Sequence, residues 1–136
     1  MTLYWNQNIH TIGIKHLDEQ HQQLFETLSR LHDSSHNGTI ETEIPKIIDF
    51  MEDYSKKHFR DEETLMQEYN YQGLNEQQSE HAKFIAKIEE FKSAYATNGA
   101  TINLALTIHN TLSTWLVEHI SSLDRTMGLF LLEKIK

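Results

Sequence analysis

The chain has 136 residues, the size of one domain, with no cysteine and a formal charge of −8 from twelve basic and twenty acidic side chains. The missing thiols exclude disulfides, thiolate zinc sites, iron–sulfur clusters and cysteine nucleophiles, and the interspersed acidity argues against nucleic acid, which calls for a basic face. No apolar run approaches the roughly 18 residues that span a bilayer, and the opening Met1 to Asn8 lacks the basic-then-apolar order of a signal peptide, so no membrane partner and a cytoplasmic address are expected.

One proline and five glycines leave few breaks and favour long helices. Residues 1–17 show no sustained period and are read as an arm, with Trp5, Ile12 and Ile14 tucked against a bundle. Asp18 is expected to cap a helix over 18–37, whose inner face steps through His21, Leu24, Phe25, Leu28, Leu31 and His32 before Asn37-Gly38 ends it. A second helix is expected over 42–68 with Pro45 in its first turn. Its inner face runs Ile44, Ile47, Ile48, Met51, Tyr54, Ser55, His58, Glu62, Leu65 and Met66. The third, over 75–97, has Asn75 and Gln78 at capping-box spacing and turns Gln77, His81, Phe84, Ile85, Ile88, Phe91 and Tyr95 inward. The fourth, over 101–120, carries Ile102, Ala105, Ile108, Leu112, Trp115, Leu116 and His119, and Ser121-Ser122 loosens its end. Residues 124–135 form a short last helix. Short loops make sequential helices antiparallel neighbours, so the expected fold is all-α: a single domain, 1–136, built as an up-down-up-down four-helix bundle with an N-terminal arm and a short C-terminal helix.

The polar residues on these apolar faces carry the chemistry. A histidine or carboxylate in a helical core is costly unless it is paired or bound to a metal, yet every helix turns one inward: His21, then His58 and Glu62, then His81, then His119, with Asp124 five residues on. His58 and Glu62, four apart, share one side of their helix about 6 Å apart along its axis. In an antiparallel bundle all of these positions fall at one level. So many imidazoles and carboxylates in one layer would be an electrostatic fault without cations. Two divalent ions resolve it, and nitrogen and oxygen donors without thiolate suit iron or manganese. Ferritin-like sites use Glu-x-x-His pairs, which this chain lacks; its string is His-x-x-x-Glu. His10, His16, His32, His36 and His109 are read as structural histidines, and Glu63 as a solvated neighbour of Glu62.

At these residues the chain resembles the bacterial hemerythrins over nearly its full length. The matching pieces are Trp5, Gly13-Ile14, Leu17-Asp18-Glu19-Gln20-His21, Tyr54, His58-Phe59-x-x-Glu62-Glu63-x-x-Met66, His81-x-x-Phe84 and Trp115-Leu116-Val117-Glu118-His119-Ile120 ending in Asp124. The resemblance implies reversible dioxygen binding at a non-heme centre of two iron ions, bridged by Glu62, Asp124 and an oxo or hydroxo group; manganese tolerates the same ligands. It implies that His21 and His58 hold the iron with the open position for dioxygen, and that His81 and His119 hold the other. Leu116 would border the gas pocket, with Phe59 and Trp115 packed around the imidazoles. One position departs: the family's third helix carries His-x-x-x-His, and here Gln77 stands first. Gln77 either ligates through its carbonyl oxygen, leaves the place to water, or leaves a loosely held iron; Gln78 is a candidate substitute. The expected function is dioxygen storage, delivery or sensing by a monomer, with no residue beyond the ligands marked as catalytic. The alternative, suggested by Gln77, is a di-iron oxidase, a peroxidase or a nitric-oxide-handling protein.

Overall fold

The computed structural model describes residues 11–135, so the expectations for Trp5 and His10 lie outside it. Helix α1 spans Lys15–Asn37, α2 Ile40–Glu68, α3 Leu74–Asn98 and α4 Ile102–His119; a π-helical turn, Ile120–Asp124, then leads without interruption into α5, Arg125–Ile135. Among the described residues there is no strand. In the bundle α1 packs on α2 and α4, and α3 packs on the same two, which closes an antiparallel ring of four helices. The core is the aliphatic and aromatic set that the helical period selects, including Leu24, Phe25, Leu28, Leu31, Ile44, Ile47, Met51, Phe84, Ile88 and Ile108.

The helix starts differ from the sequence reading in instructive ways. Helix α1 begins three residues before Asp18, after Ile14, with no side-chain cap. The Asp18 carboxylate turns back and accepts the backbone N–H of Ile12 at 2.8 Å and of Gly13 at 3.1 Å. It therefore braces the entering segment, and its charge favours the positive end of the helix dipole. Ile12 is buried and Ile14 half-buried. Gly38, at φ 76°, closes α1 as expected, its N–H bonding to the Ser34 carbonyl.

Helix α2 starts at Ile40, so Pro45 lies inside it rather than in its first turn; its missing N–H deprives only the exposed Glu41 carbonyl of a partner. Helix α3 follows Gly73, with Asn75 inside the helix and no side-chain cap. The Gln78 amide goes to Glu63 at 3.3 Å, so no capping box forms. In α4, Thr101 caps by accepting the Leu104 N–H at 3.0 Å. Ile102 is 56% exposed rather than core: it is in phase with Ala105, but at the helix end no neighbour covers it.

Candidate metal centre

The helices bring His21, His58, Glu62, His81, His119 and Asp124 to one level, all of them buried. Each arrives by a different local route. His21 follows the first turn of α1, and His58 and Glu62 sit one turn apart on α2. His81 is on α3, and His119 is the last residue of α4. Asp124 depends on the π turn. In an α-helix, a residue five places on is rotated about 140° away. The wider i→i+5 turn of Ile120–Asp124 brings it back to the side that His119 faces. What reads in the sequence as a helix break is a continuous helix with one residue absorbed.

Glu62 is the hub. Its Oε1 lies 3.1 Å from His81 Nε2, and its Oε2 lies 3.3 Å from His58 Nε2 and 3.4 Å from His21 Nε2. Asp124 places Oδ2 3.2 Å from His21 Nε2 and Oδ1 3.2 Å from His119 Nε2. Both carboxylates thus face two sides. The donor atoms fall into two groups that share Glu62, each with its atoms within 4.8 Å of one another: His21, His58 and Glu62, and Glu62, His81, His119 and Asp124.

The far nitrogens of two rings are also held. His58 Nδ1 donates to Gln20 Oε1 at 2.6 Å, and the Gln20 amide donates in turn to Asp61 at 2.8 Å. His81 Nδ1 donates to Glu63 Oε2 at 2.8 Å. These bonds leave each Nε2 with its lone pair toward the centre. Glu63 is therefore not a mere solvated neighbour, and Gln20, buried beside His21, belongs to the same arrangement. Spacing could not reveal either. Gln20 sits next to a stronger candidate, and Glu63 meets His81 only across the α2–α3 contact. His16 reaches Asp61 at 3.2 Å, outside the centre.

Aromatic rings wall the His81 and His119 side. Phe59 stacks on His81 with centroids 3.9 Å apart, and Trp115 stacks on His119 at 4.3 Å. Phe84 packs edge-on to Phe59 and against Trp115. Leu116, one turn before His119, is buried. A surface groove of about 440 Å³ between α2 and α3 reaches Phe59, Glu63 and His81.

Gln77 is buried, one turn before His81. Its Nε2 donates to Asp124 Oδ1 at 3.0 Å and lies 3.9 Å from Met127 Sδ, while its Oε1 has no partner. Its nitrogen, not its oxygen, thus faces the carboxylate. Gln78, engaged with Glu63, does not substitute for it.

The charges hold one another. Burial alone would lower the His21 proton affinity, but the Asp124 and Glu62 carboxylates beside its Nε2 push it up to about 10. Burial would raise the Glu62 carboxyl, yet His58, His21 and His81 hold it well below the usual carboxylate range. Asp124 is lowered too, His119 and His21 outweighing burial and Glu62. Burial drives His58 down, whereas Glu62 and Glu63 carry His81 up against its own burial.

The donor set fits cations. Both nitrogens of His21, both oxygens of Glu62, Nε2 of His81 and of His119, and Oε1 of Gln77 are buried without a hydrogen-bond partner. An orphaned buried polar atom costs about 1–3 kcal/mol, so such a concentration is a fault unless ions fill the space between. Nitrogen and oxygen donors without sulfur match iron or manganese in kind.

Fold and donor set together define a four-helix bundle with a buried centre suited to cations. The family model described as the hemerythrin HHE cation binding domain matches residues 12–128. The chain belongs to the hemerythrin family. It is 32% identical over 111 residues to a bacteriohemerythrin of Methylococcus capsulatus, covering 82% of each chain. To a bacteriohemerythrin of Pseudomonas aeruginosa it is 31% identical over 122 residues, 90% of this chain and 76% of the other. Among solved structures, a wild-type hemerythrin superposes with a TM-score of 0.80 at 26% identity, covering 96% of this chain and 98% of that one.

Proposed function

We propose that this chain binds dioxygen reversibly at a pair of iron ions held by His21, His58, Glu62, His81, His119 and Asp124. The observation that carries the reading is the placement of Glu62, whose two oxygens face imidazoles of both donor groups, as a bridging carboxylate requires. When bound, the ferrous pair supplies an exchangeable coordination position and the electrons that dioxygen draws on. The protein's part is positional. Gln20 and Glu63 hold His58 and His81 with Nε2 inward. Phe59 and Trp115 cover the His81 and His119 rings and keep water from that side. Leu116 is assigned the border of the gas pocket on the strength of its burial and its place one turn before His119. Manganese fits the same donors, and a cytoplasmic monomer is the proposed state. Among the described residues no helix is long and apolar enough to cross a membrane.

A second reading, a di-iron oxidase, a peroxidase or a nitric-oxide-handling protein, has Gln77 in its favour. With the amide nitrogen on Asp124, the His81–His119 side has two imidazoles and a place for an exchangeable ligand. A groove lined by Phe59, Glu63 and His81 lies against the outer face of that side. The relatives described above carry hemerythrin names and not enzyme names, which favours the first reading.

Iron analysis and a visible spectrum recorded under nitrogen, then air, then nitrogen again test the assignment. Two irons per chain with a colour change that reverses are expected. Irreversible bleaching with consumption of added peroxide would establish the second reading, and a colourless chain that takes up no iron would overturn both.

A further inference from the structure

Three histidines outside the centre cluster at the other end of the bundle. His32 and His36 lie one turn apart on α1, and His109 lies on the facing stretch of α4. At 1.5 Å per residue, His32 is displaced from His21, and His109 from His119, by about 15 Å along antiparallel helices. The three therefore share a level well separated from Glu62. The His32 ring centroid is 4.9 Å from that of His36 and 5.0 Å from that of His109. Within the centre, the rings on each side are spaced alike: His21 to His58 is 4.5 Å, and His81 to His119 is 5.3 Å. Two imidazoles bound to one ion through metal–nitrogen bonds of about 2.0–2.1 Å have ring centres about 5 Å apart.

His109 supplies the second observation. It is 2% exposed, its Nδ1 donates to the Asn110 side-chain oxygen at 3.2 Å, and its Nε2 is buried with no hydrogen-bond partner. An imidazole whose Nδ1 carries the proton keeps a bare lone pair on Nε2, the form a metal takes. Burial lowers the proton affinity of both His109 and His32, and the neighbouring imidazole lowers each further, outweighing the Asn110 hydrogen bond that raises His109 and the Asp33 carboxylate that raises both. No proton need be displaced from either ring at neutral pH.

We propose that His32, His36 and His109 bind one divalent cation of the zinc class, apart from the iron centre, and thereby link α1 to α4. Three neutral imidazoles and a water make a four-coordinate nitrogen-rich set, which prefers zinc, copper or nickel to ferrous iron. The donors do not already close on a common point as they do around Glu62. His36 is exposed, and its side chain turns about χ1 and χ2 to complete the set.

The test is a titration of zinc chloride into the full chain as purified, followed by calorimetry and by metal analysis after gel filtration. Wild type is expected to take up one zinc per chain while keeping the metal it already holds. His36→Ala, at an exposed position, and His32→Ala are each expected to weaken that uptake at least tenfold with unchanged circular dichroism. His109→Gln is expected to behave likewise, but its burial makes the exposed His36 and the half-buried His32 the deciding variants. No uptake beyond the resident metal, uptake matched mole for mole by released iron, or uptake unchanged in His36→Ala and His32→Ala would each overturn the proposal.

Discussion

At position 77 the buried side chain one turn before His81 is an amide, and it is spent on Asp124. Replacing it with histidine removes the donor that ties Asp124 Oδ1 and adds a nitrogen one turn before His81. Gln77→His is therefore expected to hold iron more tightly against a chelator and to slow oxidation of the air-exposed ferrous form severalfold, measured by iron analysis after chelator challenge and by the decay of the visible spectrum. Equal iron content and equal decay would show that Gln77 leaves the centre unaltered. Gln20 acts differently, through a ring it orients. Its carbonyl accepts from His58 Nδ1 at 2.6 Å, and loss of such a partner weakens metal binding by about 10–100-fold. Gln20→Ala is expected to show that loss in a competition titration with a chelator while its helical signal stays unchanged. The meeting of the buried polar side chains was legible beforehand. His21, His58, Glu62, His81, His119 and Asp124 are polar residues at apolar helical positions, and only a shared ligand rationalises so many. Glu63 was not legible, because its partner lies on another helix and its own position on α2 is half exposed.

Among the elements, the turn Ile120–Asp124 sets the register between α4 and α5. A π turn is an α-helix with one residue absorbed, so removing that residue should restore ordinary winding and leave Asp124 about 40° from His119, still facing inward. Deletion of the exposed Ser121 is expected to preserve metal stoichiometry. Insertion of one alanine after it rotates Asp124 by about 100° and is expected to lose at least one ion per chain, read by metal analysis of both variants. Sequence periodicity found every helix yet misread this junction. A five-residue step fits no α-helical face, and two serines resemble a loose end. The starts of α1 and α3 were misread for a related reason. Asp18 and Asn75 are residue types that cap, but the same carboxylate can brace the preceding loop, and a helix can start behind Gly73 with no side-chain cap. Helix α5 has a packing duty of its own. A Cβ on Gly128 would meet the Ile12 carbonyl oxygen at 2.9 Å. Gly128→Ala is thus expected to lose about 1 kcal/mol or more despite alanine's better helix propensity, measured by urea denaturation.

For the molecule as a whole, the centre and the apolar core are different supports. Leu28, Leu31, Ile44 and Ile47 are fully buried toward the end of the bundle remote from Glu62, and they do not depend on metal. Chelation is therefore expected to leave far-ultraviolet circular dichroism close to that of the loaded protein. It should still lower the melting temperature by several degrees, since a ligand bound only to the folded state stabilises it by mass action. Complete unfolding on chelation would mean that the core alone is insufficient. The bundle topology was readable because few breaks and a steady helical period leave little else for the chain to do. The pairing of helices then placed the ligands, since alternate ends of antiparallel helices meet. Glu62 belongs to both donor groups at once, so under the proposed reading two ions would not enter as strangers. A first arrival would fix the carboxylate for its companion, and occupancy should then climb with metal concentration more steeply than two unrelated sites would allow.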